Sequence, residues 1–169
     1  MSKDDKENKL IVSDRAGETY KKSYTSNLAD VKQDKGLINS HHIIFFIDSS
    51  SVNNEEDYSD FCDDFQLLLS RMASAGVFKV PKVYDIIYNK VDLNQTDEIK
   101  ELYKKQSQDL ENKMKADYGI NISNKFEIIA NDMSNPDLDG VFKYIVNTLN
   151  SHTNYQYKET NWVQTLLNE

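Results

Sequence analysis

A single cysteine, Cys62, in 169 residues excludes a disulfide framework and a thiolate metal site. No apolar run approaches the roughly 20 residues that cross a bilayer. The opening Met1-Ser2-Lys3-Asp4-Asp5-Lys6-Glu7-Asn8 is a polar lead rather than a signal peptide. Basic residues are outnumbered, 20 Lys and Arg against 28 Asp and Glu, for a net charge of −8. That balance argues against nucleic acid or an anionic membrane as the main partner. His41, His42 and His152 form no metal-ligand constellation, and structural or solvent roles suit them better. What remains is a cytoplasmic chain of about one domain, large enough to bury a core.

The apolar residues come in short blocks. Leu10-Ile11-Val12-Ser13 follows the polar lead and runs into Asp14-Arg15-Ala16-Gly17-Glu18, after which Tyr20, Tyr24, Leu28 and Val31 recur at weak helical spacing. His41–Asp48 is apolar almost throughout, as strands buried on both faces are. Tyr58, Phe61, Phe65, Leu68, Leu69 and Met72 make one helical stripe behind the acidic start Glu55-Glu56-Asp57, and Gly76 stops it. A strand over Val83–Tyr88 precedes a polar helix over 96–118, with Ile99, Tyr103, Leu110 and Met114 inward and Gly119 at its end. Phe126–Ala130 is the next strand, followed by the loop Asn131-Asp132-Met133. Asn135 and Pro136 open a last helix whose buried face is Leu138, Val141, Phe142, Ile145 and Leu149. Residues 151–169 form a tail, with a short helix at Trp162–Leu167. The alternation of strands and helices predicts an α/β fold with a mostly parallel sheet between helices.

Three polar boxes stand at the ends of these apolar blocks: Asp14-Arg15-Ala16-Gly17, Asn89-Lys90-Val91-Asp92 and Asn131-Asp132-Met133. Ligands of open parallel sheets bind outside the carboxyl ends of the strands, so such boxes are well placed to hold one. In their order and spacing, residues 10 to about 150 resemble the C-terminal part of a P-loop GTPase domain of the Ras-like, translation-factor-related class. The likeness is greatest to the bacterial double-GTPase type, with some to the Rag and Arf branches. The division implied is a lead at 1–9, a partial GTPase domain at 10–150 and a tail at 151–169.

The resemblance implies GTP or GDP and Mg²⁺ as ligands, and a role for each box. Asp14 would hold Mg²⁺ through water and the backbone of Gly17 would meet the γ-phosphate. The chemistry requires a hard carboxylate near a hard cation, and no side chain where backbone approaches phosphate. Asp92 would accept hydrogen bonds from the ring NH and exocyclic amine of guanine, a donor pair that adenine does not offer. Lys90 would lay its stem along the base, and Asn89 would brace the loop. The backbone NH of Asp132 would meet the guanine carbonyl oxygen; that match is one of position only. Glu18 stands where many relatives carry a Gln that orients the attacking water, and either a base or a solvated switch-region residue fits it. Plainer readings stand beside these. Asp-x-x-Gly is also a common turn, Asp92 or Asn94 suits a helix start, and Asp48 suits a cap as well as the acidic strand end of many relatives. Asp60, Asp63 and Asp64 suit a solvated helix face, and Cys62 a core position.

The phosphate-gripping sequence Gly-x-x-x-x-Gly-Lys-Ser/Thr does not occur. The five glycines are Gly17, Gly36, Gly76, Gly119 and Gly140, and they offer no such loop. A chain cut upstream, a split partner and a pseudo-GTPase all fit, and the early position of the Asp14 box favours the first. The partner implied is a protein effector or the missing N-terminal half. Two other functions compete with a GTP-dependent switch. One is an interaction module that has lost nucleotide binding. The other starts from Asp48-Ser49-Ser50-Ser51-Val52, which resembles the metal-binding opening of a von Willebrand factor type A domain, although Val52 replaces its second serine.

Overall fold

The computed structural model describes residues 27–129 and 136–152. The chain divides into two compact units, Ser13–Leu138 and Met1–Val12 together with Asp139–Glu169. In the first, two short helices, α1 (Leu28–Gln33) and α2 (Lys35–Asn39), lead into strand β1 (His42–Asp48). The long helix α3 (Glu55–Ser74) connects β1 to β2 (Val83–Asn89), and α4 (Asp97–Tyr118) connects β2 to β3 (Ile122–Ile128). The last helix, α5 (Pro136–His152), falls chiefly in the second unit.

The three strands among the described residues form a parallel sheet in the order β1-β2-β3, the α/β architecture that the alternating blocks predict. β2 is central, and its five interior residues, Tyr84 to Tyr88, are all buried. Side chains alternate between faces along a strand. One face therefore carries Ile43, Phe45 and Ile47 from β1 beside their register partners Tyr84, Ile86 and Tyr88. Both long helices pack on this face. Phe65 of α3 meets Phe45 edge-on at 5.6 Å between ring centroids, and Tyr103 of α4 meets Tyr88 edge-on at the same distance. Leu69 and Met72 from α3, with Leu110 and Met114 from α4, complete the core. Cys62 is buried in it, the core position proposed for it.

The caps account for where the helices begin and end. Asn54 accepts from the backbone of Glu56 and Asp57 to start α3, and Thr96 accepts from Ile99 to start α4. Gly119 ends α4 in the left-handed region at φ 69°, where a side chain costs about 1–2 kcal/mol. Thr96, not Asp92 or Asn94, is the cap of α4.

Two expectations need correction. The third strand begins at Ile122, four residues before the Phe126 start read from the sequence, and ends at Ile128. Its N-terminal half alternates Ile122-Ser123-Asn124-Lys125, a pattern too polar for an apolar block to reveal. It is a strand because it pairs with β2, through a bulge opposite Tyr84 and Asp85. On α5, Val141 is buried but Phe142, assigned to the buried face, is 68% exposed. Leu138 and Leu149 of the same face, and the tail beyond 152, lie outside the described side chains.

The opposite face of the sheet is less uniform. Ile87 and Ile128 are buried there, whereas Phe46 of β1 is 60% exposed. Asp85, in the middle of the apolar block of β2, is 1% exposed on this face. It is fully engaged: its Oδ2 lies 2.6 Å from His42 Nε2, and its Oδ1 accepts from the backbone and side-chain amides of Asn124, both at 3.0 Å. The backbone amide of Asn124 sits at the bulge, so the carboxylate satisfies a donor where the ladder is irregular.

Candidate functional site

The parallel register brings the carboxyl ends of β1 and β2 together, with Asp48 opposite Asn89. Each strand then enters a single 3₁₀ turn, Ser49–Val52 after β1 and Val91–Leu93 after β2. The Asn89-Lys90-x-Asp92 box therefore lies at the mouth of the sheet, on its central strand.

Lys90 carries the sharpest backbone feature. Its φ is 61°, and it is the one non-glycine residue in the left-handed region among the described residues. Such a conformation is rare for a lysine and persists only where surroundings impose it. Here the β1 turn imposes it at three points. Ser49, fully buried, donates from Oγ to the Lys90 carbonyl at 2.7 Å. Asp48 Oδ2 pairs with Lys90 Nζ at 2.5 Å. Further along, Asn53 Nδ2 donates to Asn94 Oδ1 at 2.8 Å, which satisfies an asparagine that is only 7% exposed.

Asp48 is itself anchored. Its Oδ1 accepts from the backbone and hydroxyl of Ser50 at 3.0 and 2.8 Å, so it caps the 3₁₀ turn as well as pairing with Lys90. The helix cap expected of it is met only in part: Asp48 caps this 3₁₀ turn, whereas Asn54 caps α3. Partial burial pushes the Asp48 carboxyl upward, but the hydrogen bonds from Lys90 and Ser50 and the lysine charge outweigh it, holding the group below its ordinary 3.8. The same bond to Asp48, with its charge, raises Lys90 above its ordinary 10.5.

Asp92 lies exposed in the second turn. Among the described residues it makes no hydrogen bond and no ion pair, so both carboxylate oxygens are open to a donor pair. This is the acceptor pair that a base with adjacent NH groups requires, and the residues present fit it. The structure thus unites Asn89, Lys90 and Asp92 in one loop and adds Asp48 and Ser49, whose part in it sequence reading missed. The signal was the acidic end of the neighbouring strand; what it lacked was the register. Asp14, Gly17, Glu18 and Asp132 lie outside the described residues. No three His, Cys, Asp or Glu side chains converge on a metal position among the described residues. Val52, in the metal-binding pattern weighed above, is fully buried, and Asp48 already faces a lysine.

A model of the Double-GTPase 2 family matches residues 1–141. The chain belongs to the Double-GTPase 2 family. No curated protein and no solved structure matches it. Membership of a double-GTPase family makes the general class of function GTPase-related, with nucleotide as the ligand class. The match includes the segments of all three polar boxes. No helix among the described residues is long and apolar enough to cross a membrane.

Proposed function

We propose that this chain is the guanine-reading part of a GTP-binding switch domain that regulates a protein partner in the cytoplasm. The observation that carries the reading is the loop after β2: a left-handed Lys90 fixed by the neighbouring turn, next to an Asp92 whose acceptors are open. Asp92 reads the donor pair of guanine, Lys90 lays its stem along the base, and Asn89 braces the loop. Asp132 adds a backbone NH to the guanine carbonyl oxygen. Asp14 holds Mg²⁺ through water, Gly17 senses the γ-phosphate, and Glu18 stands near the attacking water. The phosphate grip comes from residues not among these 169, in the same or a partner polypeptide. Hydrolysis belongs to that complete assembly.

The test is a titration of isotope-labelled chain with GDP and, separately, ADP at millimolar concentration, followed by amide NMR. Shifts at Asn89–Asp92 with GDP but not ADP are the expected result. Equal responses to the two nucleotides, or none, would remove the reading.

A second reading is an interaction module without nucleotide. It draws on Phe46, 60% exposed on β1, a strand that pairs only with β2 among the described residues. It predicts no nucleotide response and a concentration-dependent association, measurable by sedimentation.

A further inference from the structure

The ammonium of Lys90 has two carboxylates within its reach. Asp48 faces it across the strand ends at 2.5 Å, and Asp92 follows it by two residues on the same loop and makes no ion pair among the described residues. We infer that Asp48 and Ser49 are positioning residues for guanine recognition: they hold Lys90 against the β1 turn and so keep its ammonium off Asp92. This inference rests on the guanine-reading assignment above.

The geometry argues it in two steps. Lys90 leaves the backbone at the end of β2 while its Nζ ends on Asp48, at the end of β1. Its methylene stem therefore bridges the carboxyl ends of two adjacent strands, about 4.8 Å apart in a sheet, where ligands of such sheets bind. A base-stacking stem needs that fixed course, and a free lysine, with four rotatable bonds, does not supply it. The second step is electrostatic. Asp92 contributes to the field that stabilises the Lys90 ammonium, so the two charges already attract. With Asp48 neutralised, Asp92 is the carboxylate left acting on the Lys90 ammonium, and a lysine pairing with it occupies the acceptors that guanine needs. Ser49 supports the same arrangement from the backbone side, because its hydroxyl fixes the Lys90 carbonyl from a fully buried position.

A competing view makes Asp48 merely a cap for its own turn. The two views separate in a double-mutant cycle, which isolates coupling between neighbours. Asp48→Asn keeps an oxygen for the Ser50 bonds but loses the charge; Lys90→Met keeps the stem and loses the ammonium. GDP binding is measured by NMR titration of the full chain. In the Lys90 background, Asp48→Asn should weaken GDP about tenfold, and in the Lys90→Met background by less than about twofold. An equal loss in both backgrounds, or none in the first, overturns the proposal.

Amide hydrogen exchange without nucleotide gives an independent readout. Ser49→Ala and Asp48→Asn should each speed exchange in residues 90–94 while leaving the centre of α4 unchanged. Unaltered exchange in that loop also overturns the proposal. If the wild-type chain shows no guanine-selective response, the functional reading fails by itself, and the exchange data alone decide whether the brace exists.

Discussion

Asp85 and His42 meet at 2.6 Å across adjacent strands, on the face of the sheet opposite the main core. In register, Asp85 stands beside Ile44. His42, two residues earlier on the same face, reaches along the strand direction to it. The same carboxylate takes the backbone and side-chain amides of Asn124 from the other neighbour. One buried side chain thus ties all three strands together at their amino ends, far from the polar loops at the carboxyl ends. Depriving a buried donor of its acceptor costs about 1–3 kcal/mol, and Asp85 serves several donors. Asp85→Ala should therefore destabilise the fold by about 2–4 kcal/mol, a large share of the roughly 5–15 kcal/mol typical of a domain. Asp85→Asn, which retains an oxygen for the Asn124 amide, should cost less. Urea unfolding of both variants checks the ordering, and an alanine variant as stable as wild type would remove the tie.

Lys90 gives an opposite expectation. Glycine adopts a positive φ without the steric cost that a lysine bears, and the ion pair that Lys90→Gly removes is solvent-exposed and of small value. The variant should melt at an unchanged temperature or up to about 4 °C higher, while guanine-selective shifts disappear. Strain held in a binding loop shows this separation of stability from function. A clear drop in melting temperature would mean that the lysine serves the fold first.

The ion pairs fix a pH dependence. Burial raises the Asp48 carboxyl, but the bonds from Lys90 and Ser50 bring it net below 3.8. Asp109 is lowered as well, by hydrogen bonds from Lys113 and Tyr58. A carboxylate whose pKa is lower folded than unfolded contributes its full stabilisation above the unfolded value and loses it as pH falls through the folded one. Lys90 and Lys113 are raised above 10.5 by the same partners, so their contributions are present below 10.5 and lost as pH climbs through the raised values. Unfolding midpoints for wild type and Asp48→Asn should differ only slightly at neutral pH, as an exposed pair allows, and converge as pH drops below 3.8. Curves that stay parallel down to roughly pH 2 would contradict the pairing.

The sequence made the sheet legible where burial is uniform and hid it where burial is mixed. Ile43–Ile47 and Val83–Tyr88 are apolar blocks, and both became strands. The start of β3 is polar because one of its faces meets Asp85 and the other carries Lys125. That lysine lies over the rings of Tyr88 and Tyr103 and 3.3 Å from Glu111. Asp85 carries no signal of its role inside an apolar block, since its partners are 39 and 43 residues away. The Asn89-Lys90-x-Asp92 box was visible as local sequence. Its brace was not, because the bonds that Lys90 makes with Asp48 and Ser49 span 42 and 41 residues and exist only through strand register. A left-handed lysine likewise leaves no mark in the sequence.

Asp92 allows the most direct test of base recognition. Its open carboxylate offers two acceptors, which suit the ring NH and exocyclic amine of guanine. Asparagine at this position offers one acceptor and one donor. That set suits xanthine, which keeps the ring NH but replaces the amine with a carbonyl oxygen. Each well-formed bidentate base contact is worth about 1–3 kcal/mol of discrimination, so Asp92→Asn should lose roughly tenfold or more in guanine response and gain a comparable response to xanthosine diphosphate. The exposed side chain makes damage to the fold an unconvincing cause of any loss, and a melting curve would verify that. The comparison is made by titrating both nucleotides into the wild-type and variant chains and following the amides of residues 89–94. A variant that still prefers guanine would move base recognition away from Asp92, whereas exchanged preference would place it there.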